Sequence, residues 1–235
     1  HSSVTTQTTP IDLPNAYVIG TTLSGTVNVG VGQTYTSLTN AGGLFQAINS
    51  GTVSGNIIAS ITSDLGEDGT FALNQWTESG AGNWTLTILP DANTMRTISG
   101  IGAANTALIR FNGADRVTID GQYGGSGAYL LFREKGATQP LFAYLNDATN
   151  NAIRNCTVEG SNASSSASNA GLVYFGTGTS SGNSNNSITR CTLRDRSDTT
   201  TVNYPAFGVY AYSTAAAAAF NKNVSVSENK IFNIY

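Results

Sequence analysis

Histidine is all but missing from this 235-residue chain: the one His is residue 1. A Ser-His-acid triad, a Cys-His dyad and a His-ligated zinc site within the fold are therefore excluded. Charge is scarce too, at 11% of residues with a net charge of −3. No basic stripe exists, so a nucleic-acid partner is not expected. No stretch approaches the 18 or more consecutive apolar residues that roughly define a membrane-spanning helix, so no membrane span is expected. The chain opens on His1-Ser2-Ser3 with no signal-peptide pattern, which implies prior processing or excision from a longer protein. Cysteine is limited to Cys156 and Cys191.

What fills the space is Gly, with 26 copies, and much Ser, Thr and Asn. Such a composition suits stacked parallel strands. Like charges repeated on rungs about 4.8 Å apart would repel, whereas Asn, Ser and Thr can hydrogen-bond from rung to rung.

A repeat confirms the direction of that reasoning. Ile119, Ile153, Ile188 and Val226 sit in the phrases RVTIDGQ, NAIRNCTV, NSITRCTL and VSVSENKI, 34 to 38 residues apart. Aligned, these phrases place Gln122, Cys156, Cys191 and Asn229 in one structural column, and Val158, Leu193 and Ile231 in another. A second apolar strand precedes each phrase: Leu108–Phe111, Leu141–Leu145, Leu172–Phe175 and Phe207–Tyr210. Strand, loop, strand, loop at a fixed period with no helical pattern between is the mark of a parallel β-solenoid. The cysteines, one coil apart, read as stacked buried thiols or an inter-coil bridge, and in-register parallel strands disfavour the bridge torsion.

Residues 1–16 read as an extended leader broken by Pro10 and Pro14, and 17–106 as an N-terminal cap with the first coils. Strands are expected at Tyr17-Val18-Ile19, at 26–31, at 56–61 and at 84–90. Leu38, Ala41, Leu44, Phe45 and Ile48 form an i, i+3, i+4 stripe, predicting one helix over about 39–50 with Thr39 or Asn40 as N-cap. It would cover the open first coil. Regular coils occupy 107–235, with loops that lengthen toward the C-terminus; the Ala215–Ala219 run falls in one and is read as loop. The last coil ends bare, so further coils or domains of the same chain, or a partner protein, are expected against that edge.

The phrases LTILPDANTMRTISG, ALIRFNGADRVTIDGQ and NNAIRNCTVEG resemble the right-handed parallel β-helix proteins of the pectate-lyase-like fold. More narrowly they are similar to the β-helical segments of large cell-surface proteins that Bacteroidetes export by the type IX route. The resemblance, over roughly 20–235, implies an all-β right-handed parallel β-helix with a short N-terminal capping helix, in an extracellular or cell-surface protein. Its members include adhesins and polysaccharide-cleaving enzymes, so an adhesive or structural segment, a lyase or hydrolase whose site lies partly outside this segment, and a passenger or stalk of a secretion complex all remain open. Asp198-Thr199-Thr200 is similar to the short O-glycosylation motif of that bacterial group.

Candidate chemistry is sparse. Asp120 faces outward in a column with Arg154, Thr189 and Ser227, so no second acid stacks on it, as a hydrolase pair requires. Arg190, Arg194, Asp195, Arg196 and Asp198 form the densest charged run. It reads either as a sugar-binding corner or as a solvated turn whose exposed pairs are each worth under about 1 kcal/mol. Asp64, Glu67 and Asp68 in a Gly-containing loop offer the oxygens that calcium takes, against the competing reading of an ordinary acidic turn. No other cofactor is implied. Tyr123, Trp76, Tyr204, Tyr210 and Tyr212 are the aromatics that would stack on a carbohydrate or other surface ligand, although strand tyrosines are commonly half-buried in a core.

Overall fold

Alternation of apolar and polar residues in short strands leaves each strand with one face to bury, and successive rungs pack these faces against one another around a common axis. The computed structural model describes residues 21–165, 168–200, 203–212 and 216–235. The expected leader and the Tyr17-Val18-Ile19 strand lie outside these. The strands in chain order are β1 (Thr22–Val29), β2 (Thr52–Ile61), β3 (Leu65–Glu67), β4 (Leu73–Asn74), β5 (Thr77–Glu78), β6 (Leu86–Pro90) and β7 (Arg96–Gly100). They continue as β8 (Ile109–Asn112), β9 (Val117–Asp120), β10 (Leu130–Glu134), β11 (Phe142–Leu145), β12 (Ala152–Arg154) and β13 (Cys156–Glu159). The last are β14 (Val173–Phe175), β15 (Ser187–Thr189), β16 (Thr192–Arg194), β17 (Val209–Ala211), β18 (Ser225–Ser227) and β19 (Lys230–Ile231).

These strands make three parallel sheets. Sheet A runs β1-β2-β6-β9-β12-β15-β18, with β5 beside β2; sheet B runs β3-β7-β10-β13-β16-β19; sheet C runs β4-β8-β11-β14-β17. The chain is an all-β parallel solenoid of about six turns. Ile119 pairs with Ile153, Ile153 with Ile188 and Ile188 with Val226, in the order the repeat predicts. Sheet C likewise stacks Ile109, Phe142, Val173 and Val209.

One column departs from expectation. Cys156 pairs with Leu130, not Gln122. An exposed excursion over 121–129, tipped by a Tyr123–Ser126 bridge, delays the start of β10, so Gln122 leaves the column and Leu130 fills it. Cys156, Cys191 and Asn229 remain aligned, and Val158, Leu193 and Ile231 are the next position along. Both thiols are buried and free.

The single α-helix among the described residues, α1, spans Leu44–Ser50, shorter than the predicted 39–50. Its start is delayed because the amides of Leu38 and Thr39 and the Thr39 hydroxyl bond to the Glu67 carboxylate at 2.8, 2.7 and 2.5 Å. Gly43 is the N-cap instead, with no side-chain cap. A Cβ there would lie 2.8 Å from the Asn40 carbonyl oxygen and 2.9 Å from that of Leu38, so only glycine fits. Leu44, Phe45 and Ile48 are buried, and Asn49 ties the helix to the start of sheet C through the Ala72 carbonyl and the Asn74 amide. The helix thus closes the N-terminal end of the stack. Ala217–Ala219 forms one 3-10 turn, a local departure from the plain loop expected over Ala215–Ala219, of which Ala215 lies outside the described residues.

Aliphatic columns of sheet A face an aromatic layer on sheet C. Tyr144 stacks on Phe175 with ring centroids 4.4 Å apart and tilts against Phe111 at 5.0 Å. The Tyr144 hydroxyl is buried and finds no hydrogen-bond partner among the described residues.

At the corners, the chain turns through left-handed residues. Asn150, Asn185 and Asn223 stack at the corner from sheet C to sheet A with φ of 57°, 57° and 54°. Asn tolerates this region better than most residues, which explains its abundance.

Candidate functional site

Loops are where the rungs differ. The connections from sheet B to sheet C grow from 135–141 to 160–172 and 195–208, and those from sheet C to sheet A grow from 113–116 to 176–186. Function is more often hung on such loops than on the rungs that carry them.

The charged run falls on the corner leaving sheet B, and the structure adds residues that sequence spacing did not reveal. Arg133 bonds Glu159 at 2.7 Å and reaches Asp198 at 3.5 Å. Arg194 meets Asp195 at 3.3 Å, and Arg196 meets Asp198 at 2.9 Å. Arg196 also donates to the Lys135 carbonyl at 2.9 Å, which binds the 195–208 loop to the 135–141 loop. Arg194, Asp195, Arg196 and Asp198 therefore belong to one network with Arg133 and Glu159. Arg190 does not join it. It occupies a left-handed corner, donates to Asn155 at 3.1 Å and faces Glu228 at 3.5 Å. Tyr123 is exposed at the tip of the 121–129 excursion.

Beneath the network lies Glu134, fully buried. Its two oxygens accept the amides of Gly102 at 3.2 Å and Gly136 at 2.7 Å. Burial raises its pKa to about 7, against the opposing pull of those amides and of Arg196. Asp198 moves the other way, held below its ordinary value first by the hydrogen bond from Arg196.

Beside these loops is a cleft. Ala163, Ser165, Tyr204, Ala206 and Tyr235 enclose about 260 Å³. An adjoining space of about 290 Å³ shares Ala163, Tyr204 and Tyr235 and adds Asn203, Ser161 and Ala137. Two tyrosines thus share the lining with alanines, serines and Asn203. Of the other aromatics, Trp76 is not a surface platform: it is 4% exposed, and its indole N–H donates to Glu78 at 3.0 Å beneath Arg116. Tyr210 stacks on Tyr174 on the outer face of sheet C and is half-buried, as is Tyr212.

The acidic loop does not gather its carboxylates. Glu67 turns into the stack toward Thr39, Asp64 accepts the Thr97 amide at 2.8 Å, and Asp68 caps the Thr70 amide at 2.8 Å. Among the described residues no three acid, His or Cys side chains converge as a metal would require. Outward Asp120 pairs with Arg154 at 2.8 Å, as its column implied.

A further acid is held where no motif marked it. Asp147 accepts the consecutive amides of Thr179, Ser180, Ser181 and Gly182, at 2.9, 3.2, 3.1 and 2.8 Å, together with the hydroxyls of Thr179 and Ser180. Despite the cost of burial, these donors hold its carboxyl far below the usual range. Asp147 staples the 176–186 loop to the preceding rung.

No family model matches the chain, and neither curated proteins nor solved structures yield a match. The class that the fold defines is a parallel β-solenoid protein. No described helix is long and apolar enough to cross a membrane.

Proposed function

We propose that this chain is a scaffold segment of an extracellular, cell-surface protein with an adhesive role, its solenoid presenting loops that bind carbohydrate. The observation that carries the reading is the cleft between Tyr204 and Tyr235. Aromatic rings present apolar faces to the C–H face of a sugar, while Asn203, Ser161 and Ser165 supply hydrogen-bonding groups at its edge. The nearby charges are already paired within the protein, Arg133 with Glu159 and Arg196 with Asp198, so a neutral saccharide suits the cleft better than an acidic one. Export by the type IX route of Bacteroidetes is part of the proposal and rests on the sequence phrases that resemble such surface proteins.

Titration of neutral oligosaccharides into the isotopically labelled protein, followed by amide chemical shifts, tests this. Saturable shifts should centre on 203–206 and 161–165, and Tyr204→Ala should weaken binding by about two- to tenfold, the loss of one aromatic stacking contact. Absence of saturable shifts with any neutral saccharide, or shifts centred on Tyr123 instead, would sink this site.

A further inference from the structure

Two thiols lie in the core where sheet A turns into sheet B. Cys156 and Cys191 each stand one residue before a paired threonine, Thr157 and Thr192, so they share one inward column on adjacent rungs. Both are 1% exposed. Their sulfurs converge on one strand. Cys156 Sγ donates to the Arg154 carbonyl at 3.1 Å, while Cys191 Sγ lies 3.4 Å from the Thr189 carbonyl and reaches back a rung to that of Ile153 at 3.6 Å. The two thiols face each other closely enough to exchange a hydrogen bond. Tyr144 completes the group from sheet C. It is fully buried, its hydroxyl has no partner among the described residues, and Cys191 is the titratable group whose charge bears on that hydroxyl. The repeat does not require sulfur here, since the rung below carries Leu130 at the same place.

Spacing sorts the chemistries open to such a pair. Equivalent atoms on neighbouring rungs are about 4.8 Å apart. A disulfide needs its sulfurs at about 2 Å with a near-perpendicular torsion, which in-register strands disfavour. Two metal–thiolate bonds of about 2.3 Å set end to end span about 4.6 Å, so a cation held linearly between the rungs asks for little movement. Zinc takes four ligands, and among the described residues no third acid, His or Cys side chain joins the pair. Thiolates select soft ions such as copper(I).

We infer that Cys156 and Cys191 form a two-coordinate site for a soft monovalent cation of the copper(I) and silver(I) class, with the Tyr144 hydroxyl donating to a bound thiolate. Loading breaks two S–H bonds, forms two sulfur–metal bonds and releases two protons; no electron changes hands. The Arg154 and Thr189 carbonyls, which lose a thiol donor, keep the backbone amides of Gly121 and Asn155. The loaded pair carries one net negative charge, and the phenol hydrogen bond offsets part of the cost of burying it. The thiols are unequal beforehand. The hydrogen bond from Cys156 lowers the pKa of Cys191, while burial raises that of Cys156, so Cys191 takes the cation first. Asp120, paired with Arg154, disfavours negative charge on both sulfurs, and a cation relieves that opposition. The inference stands apart from the saccharide cleft.

The test is titration of silver(I), and of copper(I) without oxygen, into the whole chain, with each addition left until the ultraviolet spectrum is constant. A sulfur-to-metal charge-transfer band should saturate at one cation per chain, with two protons released into weakly buffered solution and a raised melting midpoint. Tyr144→Phe keeps the ring packing; it should hold the stoichiometry and weaken binding by about 10- to 100-fold, the usual cost of losing a group that supports a metal ligand. Cys156→Ala and Cys191→Ala should each weaken it further. No band in the unaltered chain, silver bound equally well by Cys156→Ala, or an affinity unmoved by Tyr144→Phe overturns the inference. So does a chain lighter by two hydrogens with no metal retained, which would make the pair a disulfide.

Discussion

Replacing Tyr144 by phenylalanine should make the protein more stable, although the residue is fully buried at the centre of the aromatic layer. The ring contacts, 4.4 Å to Phe175 and 5.0 Å to Phe111 between centroids, survive the change. Only the hydroxyl goes, and it has no partner among the described residues. A buried donor left unsatisfied costs about 1–3 kcal/mol. Removing it also vacates the volume of one oxygen, which returns a fraction of that gain as lost packing. The expected net is a stabilisation of about 1–2 kcal/mol, or roughly 2–8 °C in the melting midpoint for a chain of this size. Urea unfolding, followed by far-ultraviolet circular dichroism, should show a higher midpoint with an unchanged slope. A midpoint lowered by the equivalent of about 1 kcal/mol would refute the reasoning. It would mean that a buried water or the neighbouring Cys191 sulfur satisfies the hydroxyl.

Glu134 should make stability fall as pH rises between about 5 and 7. Its folded pKa, about 7, lies above the ordinary 4.5, so the folded state holds the extra proton in that window and the contribution is lost as pH climbs through 7. The full shift corresponds to about 3 kcal/mol, and Glu134→Gln should flatten the profile; stability that rises with pH over the same window in the unaltered protein would contradict the assignment. Asp147→Ala should cost on the order of 2–3 kcal/mol, since the four amides and two hydroxyls around it lose a charged acceptor, and amide exchange should quicken first at 179–182. Equal protection of those amides in the variant would remove the staple from the account.

The columns of sheets A and C were legible in the sequence because the interval between Ile119, Ile153, Ile188 and Val226 stays within 34 to 38 residues although the loops inside it differ. Sheet B was less so. The 121–129 excursion displaces β10 along the chain, and only three-dimensional pairing reveals that Leu130, and not Gln122, stands over Cys156. Glu67 was readable in principle: in β3 it lies two residues from buried Leu65, hence on the inward face, while the acidic spelling of the loop suggested a cation instead. The Arg133–Glu159 pair was out of reach, because opposite charges 26 residues apart carry no local signal until the rungs are aligned. Trp76 is similar, its burial depending on Glu78 and on Arg116 from the following rung. The cleft is the least legible feature, since Ala163, Tyr204 and Tyr235 come from separate loops whose lengths set their meeting and whose residues follow no period.

Cross-strand nuclear Overhauser contacts along one column test the central claim, the in-register parallel stack, most directly. The account predicts backbone contacts from Ile153 to both Ile119 and Ile188, and from Cys156 to Leu130, in the pattern of parallel strands. Contacts of Ile153 with only one of these neighbours, or an antiparallel pattern between β9, β12 and β15, would contradict it.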